Sequence, residues 1–296
     1  MFESFTKTVV KTSGAEIVTV VGGQGPPLLL LHGNPFNHLT WNAVAPRLAR
    51  DFTVVCTDLR GYGDSSKPPG GIDHDAYSFR AMAQDQVEVM HSLGFTKFYA
   101  AGHDRGARVL HRMCLDSPDQ VLRAGFMDML PQHHLLNNVT FQWGKFSWHW
   151  FFMIQPSPTP ERMISADPEF YIRRKLSKTD KGTSYFHPEA LADYIRCISN
   201  PETVRAMCEE YRATVGIDLV MDTQDFAAGR RVTCPSLILW GEKGGVGRNH
   251  DAAEVWSHYA TNIQQTGTVP SGHYLQEECP DETYEALLSF FARKMD

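Results

Sequence analysis

The stretch Phe98–Ser117, "FYAAGHDRGARVLHRMCLDS", constrains the fold more than any other part of the chain. An apolar run meets two glycines within five residues, and the text beyond Gly106 takes helical spacing. It reads as strand, sharp turn, helix. Gly102 and Gly106 permit a strained turn that lifts the central residue, Asp104, above the end of the strand. The same alternation recurs along the chain. "AEIVTVVG" alternates as a half-buried strand does, and "PPLLLLHG" is a buried run ending in a turn. "FTVVCTDLRGYGDSS" reads as a strand followed by a Gly-rich loop. "FRAMAQDQVEVMHSLG" has helical spacing and a C-capping Gly94. "RAGFMDMLP" and "CPSLILWGEKGG" read as two further strands, and the last 30 or so residues as strand, loop and helix. Strands alternating with helices predict an α/β fold with a mostly parallel sheet covered on both faces.

The pattern changes after Pro131. Up to about Phe226 the text is rich in aromatics, Met and proline-punctuated helices, and no buried strand is evident. A helical cap over 131–225, inserted into a core formed by 1–130 and 226–296, is the simplest architecture. A length of 296 residues suits one large domain with such an insertion. The formal net charge of −6 provides no bulk positive field for nucleic acid or an anionic membrane surface. No apolar run approaches the ~20 residues that span a bilayer, and the start lacks a basic segment followed by an apolar one. The six cysteines form no CxxC pair. A reduced, cytoplasmic protein with no structural zinc, no metal and no cofactor is expected.

Gly102-His103-Asp104-Arg105-Gly106 fits the nucleophile-elbow pattern, with aspartate where many enzymes keep serine. Taken alone, Asp104 could equally cap the helix that follows. A catalytic set in this order needs an acid and then a histidine. His273, in the loop "PSGHYLQEECP" before the last helix, is the expected base. Asp128, at the end of "RAGFMD", is the preferred acid, with Glu242 as the alternative. An aspartate carboxylate displaces a leaving group from saturated carbon and becomes an alkyl ester. Water must then attack the ester carbonyl, which calls for an oxyanion hole. The backbone N–H of Arg105 is one expected donor, and Asn34 in "HGNPF" supplies the other. Electrophiles of this type carry a halogen or an epoxide. Arg105 and Arg108 share a face at a helix N-terminus, where negative side chains are normally preferred. They fit a site completed by an anion, so a carboxylate-bearing substrate is expected.

The combination of "HGNPF", "DLRGYGDSSKP", "GHDRGAR", "MDMLP", "WHW", "YRA" and "SGHYLQEECP" resembles the haloacetate (fluoroacetate) dehalogenases of the α/β-hydrolase fold, over nearly the whole chain. The resemblance implies Asp104 as nucleophile, Asp128 as acid, His273 as base and Arg105 with Arg108 as carboxylate clamp. It further implies a halide pocket of His149, Trp150 and Tyr211, whose imidazole, indole and phenol are all donors. It also implies a homodimer and a small anionic halogenated substrate. Two features depart from the family. Asn34 stands where an aromatic is usual, as in the haloalkane dehalogenases. The segment "KLSKTDKGTSYF", 175–186, lacks a tryptophan that related caps carry. Three rival readings share the fold, one of them a haloalkane dehalogenase. An epoxide hydrolase would use cap tyrosines drawn from Tyr171, Tyr185, Tyr194 and Tyr211, and a non-catalytic relative would bind its ligand without turnover.

Overall fold

The computed structural model describes residues 1–177 and 182–293. Part of the tryptophan-lacking segment, 178–181, lies outside the described residues. Eight strands form one sheet in the order β1-β2-β4-β3-β5-β6-β7-β8. They are β1 (Thr6–Lys11), β2 (Glu16–Gly22), β3 (Pro27–Leu31), β4 (Thr53–Thr57), β5 (Phe98–His103), β6 (Val121–Met127), β7 (Ser236–Gly241) and β8 (Ile263–Val269). The β1–β2 and β2–β4 pairs are antiparallel, and every pair from β4 to β8 is parallel.

The central strands are apolar because both faces are covered. Leu28 to Leu31 are fully buried, and they divide by alternation between two apolar clusters. β1 was not legible in the sequence. It is an edge strand whose residues are almost all exposed, so it carries no apolar alternation.

Parallel pairing brings the C-terminal ends of β3, β5, β6 and β7 to one edge of the sheet. Leu31 pairs with Gly102, His103 with Met127, and Met127 with Leu239. In open α/β sheets this edge is where ligands bind. Between β6 and β7 the described residues contain helices and no named strand, including Trp148–Met153, Pro168–Leu176, Pro201–Ala213 and Leu219–Ala227. A π-helical turn at Thr214–Asp218 joins the last two, with non-helical dihedrals at Gly216. Among the described residues no helix is long and apolar enough to cross a membrane.

Candidate active site

Asp104 is the single residue between β5 and the helix Arg105–Asp116, with φ 50° and ψ −113°. A non-glycine residue in this region is strained, and the packing around it holds it there. That packing also explains the glycines. A Cβ on Gly102 would lie 2.5 Å from the Gly106 backbone, and one on Gly106 would lie 2.5 Å from the carbonyl oxygens of Leu31 and His32. The helix therefore starts in direct contact with the end of β3, and Asp104 has nowhere to go but above the sheet.

Asp128 follows β6, also at positive φ (44°). Its N–H donates to the Leu239 carbonyl at 2.8 Å, and its Oδ1 accepts from Gly241 N–H at 3.0 Å. The remaining oxygen, Oδ2, lies 2.5 Å from His273 Nδ1. The other ring nitrogen, Nε2, lies 3.6 Å from Asp104 Oδ2. The three side chains are thus in line, with the histidine in the middle. Glu242 is elsewhere, accepting from the Thr268 hydroxyl at 2.9 Å on the exposed side of the sheet edge. A second histidine fixes the base loop. Burial, reinforced by the charge of His273, pushes the His103 pKa down to about 4. Neutral His103 can therefore donate from Nε2 to the His273 carbonyl, 2.7 Å away.

The Asn34 backbone N–H donates to Asp104 Oδ1 at 3.0 Å. Its side chain turns away and donates to the Tyr62 hydroxyl at 2.9 Å. The amide that distinguishes this chain from its family is therefore spent on a structural bond. Burial acts to raise the Asp104 pKa, but contact with His273 and the charges of His273 and Arg105 outweigh it. The carboxyl sits well below the usual carboxylate range and is ionised at neutral pH.

Both arginines are buried beside this carboxylate. Arg105 donates from Nη1 to Thr214 Oγ1 at 2.6 Å, and its guanidinium lies 3.6 Å from the centre of the Tyr211 ring and 4.5 Å from that of Trp150. Arg105 Nε and Nη2 have no hydrogen-bond partner among the described residues. Arg108 donates from Nη1 to the Leu130 carbonyl at 3.1 Å and to Gln132 Oε1 at 2.7 Å, leaving Nε without a partner among the same residues. Burial, then repulsion from Arg105, lowers the Arg108 pKa to about 10, still charged at neutral pH. Three buried donors on two cations are costly unless an anion meets them.

His149, Trp150 and Tyr211 lie together. Ring centres are 5.9 Å apart for His149–Tyr211 and 5.4 Å for Trp150–Tyr211. Asp104, Arg108, Asp128, His149, Trp150 and His273 line one cavity of about 60 Å³. That is room for roughly four to six water-sized groups. Three of the four cap tyrosines point elsewhere. Tyr171 meets Met153 Sδ at 3.3 Å, Tyr185 donates to the Leu176 carbonyl at 3.0 Å, and Tyr194 to Glu277 Oε1 at 2.7 Å.

No motif or periodicity announces the buried relay behind the site. Asn34 donates to Tyr62, Tyr62 donates to Glu210 Oε2, and Glu210 Oε1 lies 3.7 Å from Arg105 Nε. The π-turn supplies Thr214, the acceptor for Arg105, and Gln132 holds Arg108. The one available signal was Glu210 itself, an acid directly before Tyr211.

Comparison with known proteins identifies the family. The family model of the alpha/beta hydrolase fold matches residues 26–280. The chain is 43% identical over 293 residues to a fluoroacetate dehalogenase of Burkholderia sp, covering 99% of this chain and 95% of that one. It is 33% identical to a soluble epoxide hydrolase of Corynebacterium sp. (strain C12), covering 95% of each. A crystal structure of an alpha/beta hydrolase from Nostoc sp PCC 7120 superposes with a TM-score of 0.96 at 48% identity, over 99% of this chain and 100% of that one. The chain belongs to the α/β hydrolase fold family, and within it to the haloacetate dehalogenase group that the Burkholderia enzyme represents.

Proposed function

We propose that this chain is a hydrolase of carbon–halogen bonds that converts short 2-haloacids, haloacetate first among them, to the 2-hydroxy acid and halide. The observation that carries the reading is the pair of buried arginines beside a carboxylate nucleophile, with Arg105 Nε, Arg105 Nη2 and Arg108 Nε making no hydrogen bond among the described residues and Arg105 Nε meeting Glu210 Oε1 only as an ion pair at 3.7 Å. A neutral epoxide would leave those donors unmet. Three of the tyrosines an epoxide would need are engaged elsewhere. A cavity of about 60 Å³ suits a two-carbon acid better than an aryl epoxide.

Arg105 and Arg108 hold the substrate carboxylate. Asp104 Oδ2 attacks the α-carbon, and the halide leaves with the bonding electron pair toward His149, Trp150 and Tyr211. Their N–H and O–H groups stabilise the departing ion, which matters most for fluoride, a poor leaving group and a strong acceptor. His273, oriented by Asp128, then takes a proton from water, and the hydroxide attacks the ester carbonyl of Asp104. Oδ1, already held by the Asn34 N–H, becomes the oxyanion, with the Arg105 N–H as second donor. Collapse frees the 2-hydroxy acid and restores the carboxylate. One water is consumed, and one halide and one proton are released.

The division into a core of 1–130 and 226–296 with a cap over 131–225 supports this chemistry, since the cap would seal the cavity. A cytoplasmic site of action, expected from six cysteines that form no CxxC pair, and a homodimer, implied by the family resemblance, complete the reading. The test is fluoride release from fluoroacetate beside chloride release from chloroacetate, with Asp104→Asn as control. In labelled water, ¹⁸O should enter Asp104 before it enters product. Halide release by Asp104→Asn at the wild-type rate would overturn the mechanism.

A further inference from the structure

His149 stands between two cavities. On its inner side is the cavity that holds Asp104 and His273. On its outer side is a crevice of about 410 Å³ that shares His149 and Phe146 as its wall. Its other lining includes Lys145, Trp148, Arg174 and Lys175, and no acidic residue among the described ones. Lys145 and Arg174 are exposed and have no ion-pair partner among the described residues, whereas the neighbouring Arg173 pairs with Glu169 at 2.8 Å. Lys175 is buried, and its Nζ lies 5.9 Å from the centre of the Tyr211 ring. Positive charge therefore runs from the surface inward to the back of Tyr211. The inner cavity offers no such line of cations, since beside Arg108 its walls include the carboxylates Asp104 and Asp128 and the apolar Met129, Leu130, Leu135, Trp143 and Val246. A small, strongly hydrated anion crosses such a surface poorly and is favoured along a line of cations.

We propose that this crevice is the release route for the halide, which passes His149 into the field of Lys175, Arg174 and Lys145 while the alkyl group is still bound to Asp104. The proposal rests on the haloacid reading given above. A route differs from a binding site in a measurable way. Charges that lower a barrier speed entry and exit alike and leave the equilibrium nearly unchanged.

The experiment uses sodium bromide as probe and stopped-flow tryptophan fluorescence as readout, since Trp148 and Trp150 flank the path. In the Lys145→Gln/Arg174→Gln protein at about 0.01 M ionic strength, where screening extends over about 30 Å, the bromide association and dissociation rate constants should both fall at least about 3-fold, with Kd changed by less than about 2-fold. The difference should vanish at about 1 M of a non-halide salt, where screening acts within about 3 Å. Lys145→Arg/Arg174→Lys, which keeps both charges, should behave as wild type. Bromide that binds with unchanged rate constants in the Lys145→Gln/Arg174→Gln protein overturns the route and leaves the haloacid reading standing. A change in Kd alone makes the crevice a binding site and overturns the route as well. Bromide that does not bind the wild-type protein removes the halide pocket, and the route with it.

Discussion

Arg105 and Glu210 are both sealed from solvent, and Arg105 Nε lies 3.7 Å from Glu210 Oε1, too far for a hydrogen bond and close enough for an ion pair. The arrangement offsets much of the charge of Arg105 without using up its donors. Burial raises the Glu210 pKa, and the charge of Arg105 opposes that rise. Glu210→Gln keeps an acceptor for Tyr62 but strips Arg105 of its counter-charge. Removing one partner of a buried pair costs about 3 kcal/mol, so thermal unfolding should move down by several degrees. Haloacetate should then serve as the missing anion. Its KM should fall, and saturating acetate, a non-reactive analogue, should recover most of the lost Tm. A KM that rises together with the loss of stability would assign Glu210 to positioning instead.

Asp128→Asn should separate the two chemical steps. The nucleophile does not need the Asp128–His273 pair to attack carbon, but hydrolysis of the ester does. One equivalent of halide per site should appear in a burst, followed by turnover reduced by roughly 10³-fold or more, and intact-protein mass spectrometry should find the ester on Asp104. The burst also has a pH signature. Asp104 is held well below the ordinary carboxylate range, so it stays ionised as pH falls toward 5. The depressed pKa contributes stability above the unfolded value, near 4, and that contribution is lost only on further acidification. Burst amplitude should therefore be flat from pH 8 to pH 5 while the steady-state rate falls with protonation of the base.

Gly106→Ala should be far more damaging than Gly94→Ala, although both residues punctuate a helix. At Gly94 the cost is only backbone conformation, φ 88° with nothing within 4 Å of an added Cβ, so about 1 kcal/mol is expected. At Gly106 the new atom meets the backbone of β3 at 2.5 Å, and neither backbone can yield without moving the sheet. A loss of about 3 kcal/mol or more, or insoluble protein, is the expected outcome. Urea unfolding of the two variants side by side decides it.

The positions of Asp104 and Asp128 are legible in the sequence because each directly follows an apolar strand, whereas His273 stands four residues past a strand, IQQTGTV, with no apolar run, and only chain order points to it. The sheet edge does the assembling, and strand order needs no side-chain detail. The relay behind Arg105 could not be found that way. Thr214 reaches Arg105 across 109 residues and Tyr62 reaches Glu210 across 148, through a helix pair joined by a π-turn that no periodicity announces. Nor does the identity of Asn34 reveal its use. A substitution that looks like a change of halide ligand turns out to place its backbone N–H on Asp104 and its amide on Tyr62. Only the fold distinguishes the two.

Glu277 makes a prediction about stability that is independent of catalysis. It is buried, and the Tyr194 hydroxyl donates to Oε1 at 2.7 Å. Burial pushes its pKa up to about 8, against the hydrogen bond from Tyr194. An unfolded glutamate loses its proton near 4.3. Between those values the native state holds a proton that the unfolded chain has released, so stability falls as pH rises through the window. Glu277→Gln keeps the acceptor for Tyr194 and removes the titration. At pH 5 the variant and the wild type should unfold at the same temperature. At pH 8.5 the variant should be more stable, by on the order of 4 kcal/mol, read from urea unfolding at both pH values. Equal destabilisation at both would mean that the native carboxyl is charged throughout and that Tyr194 holds it in that form.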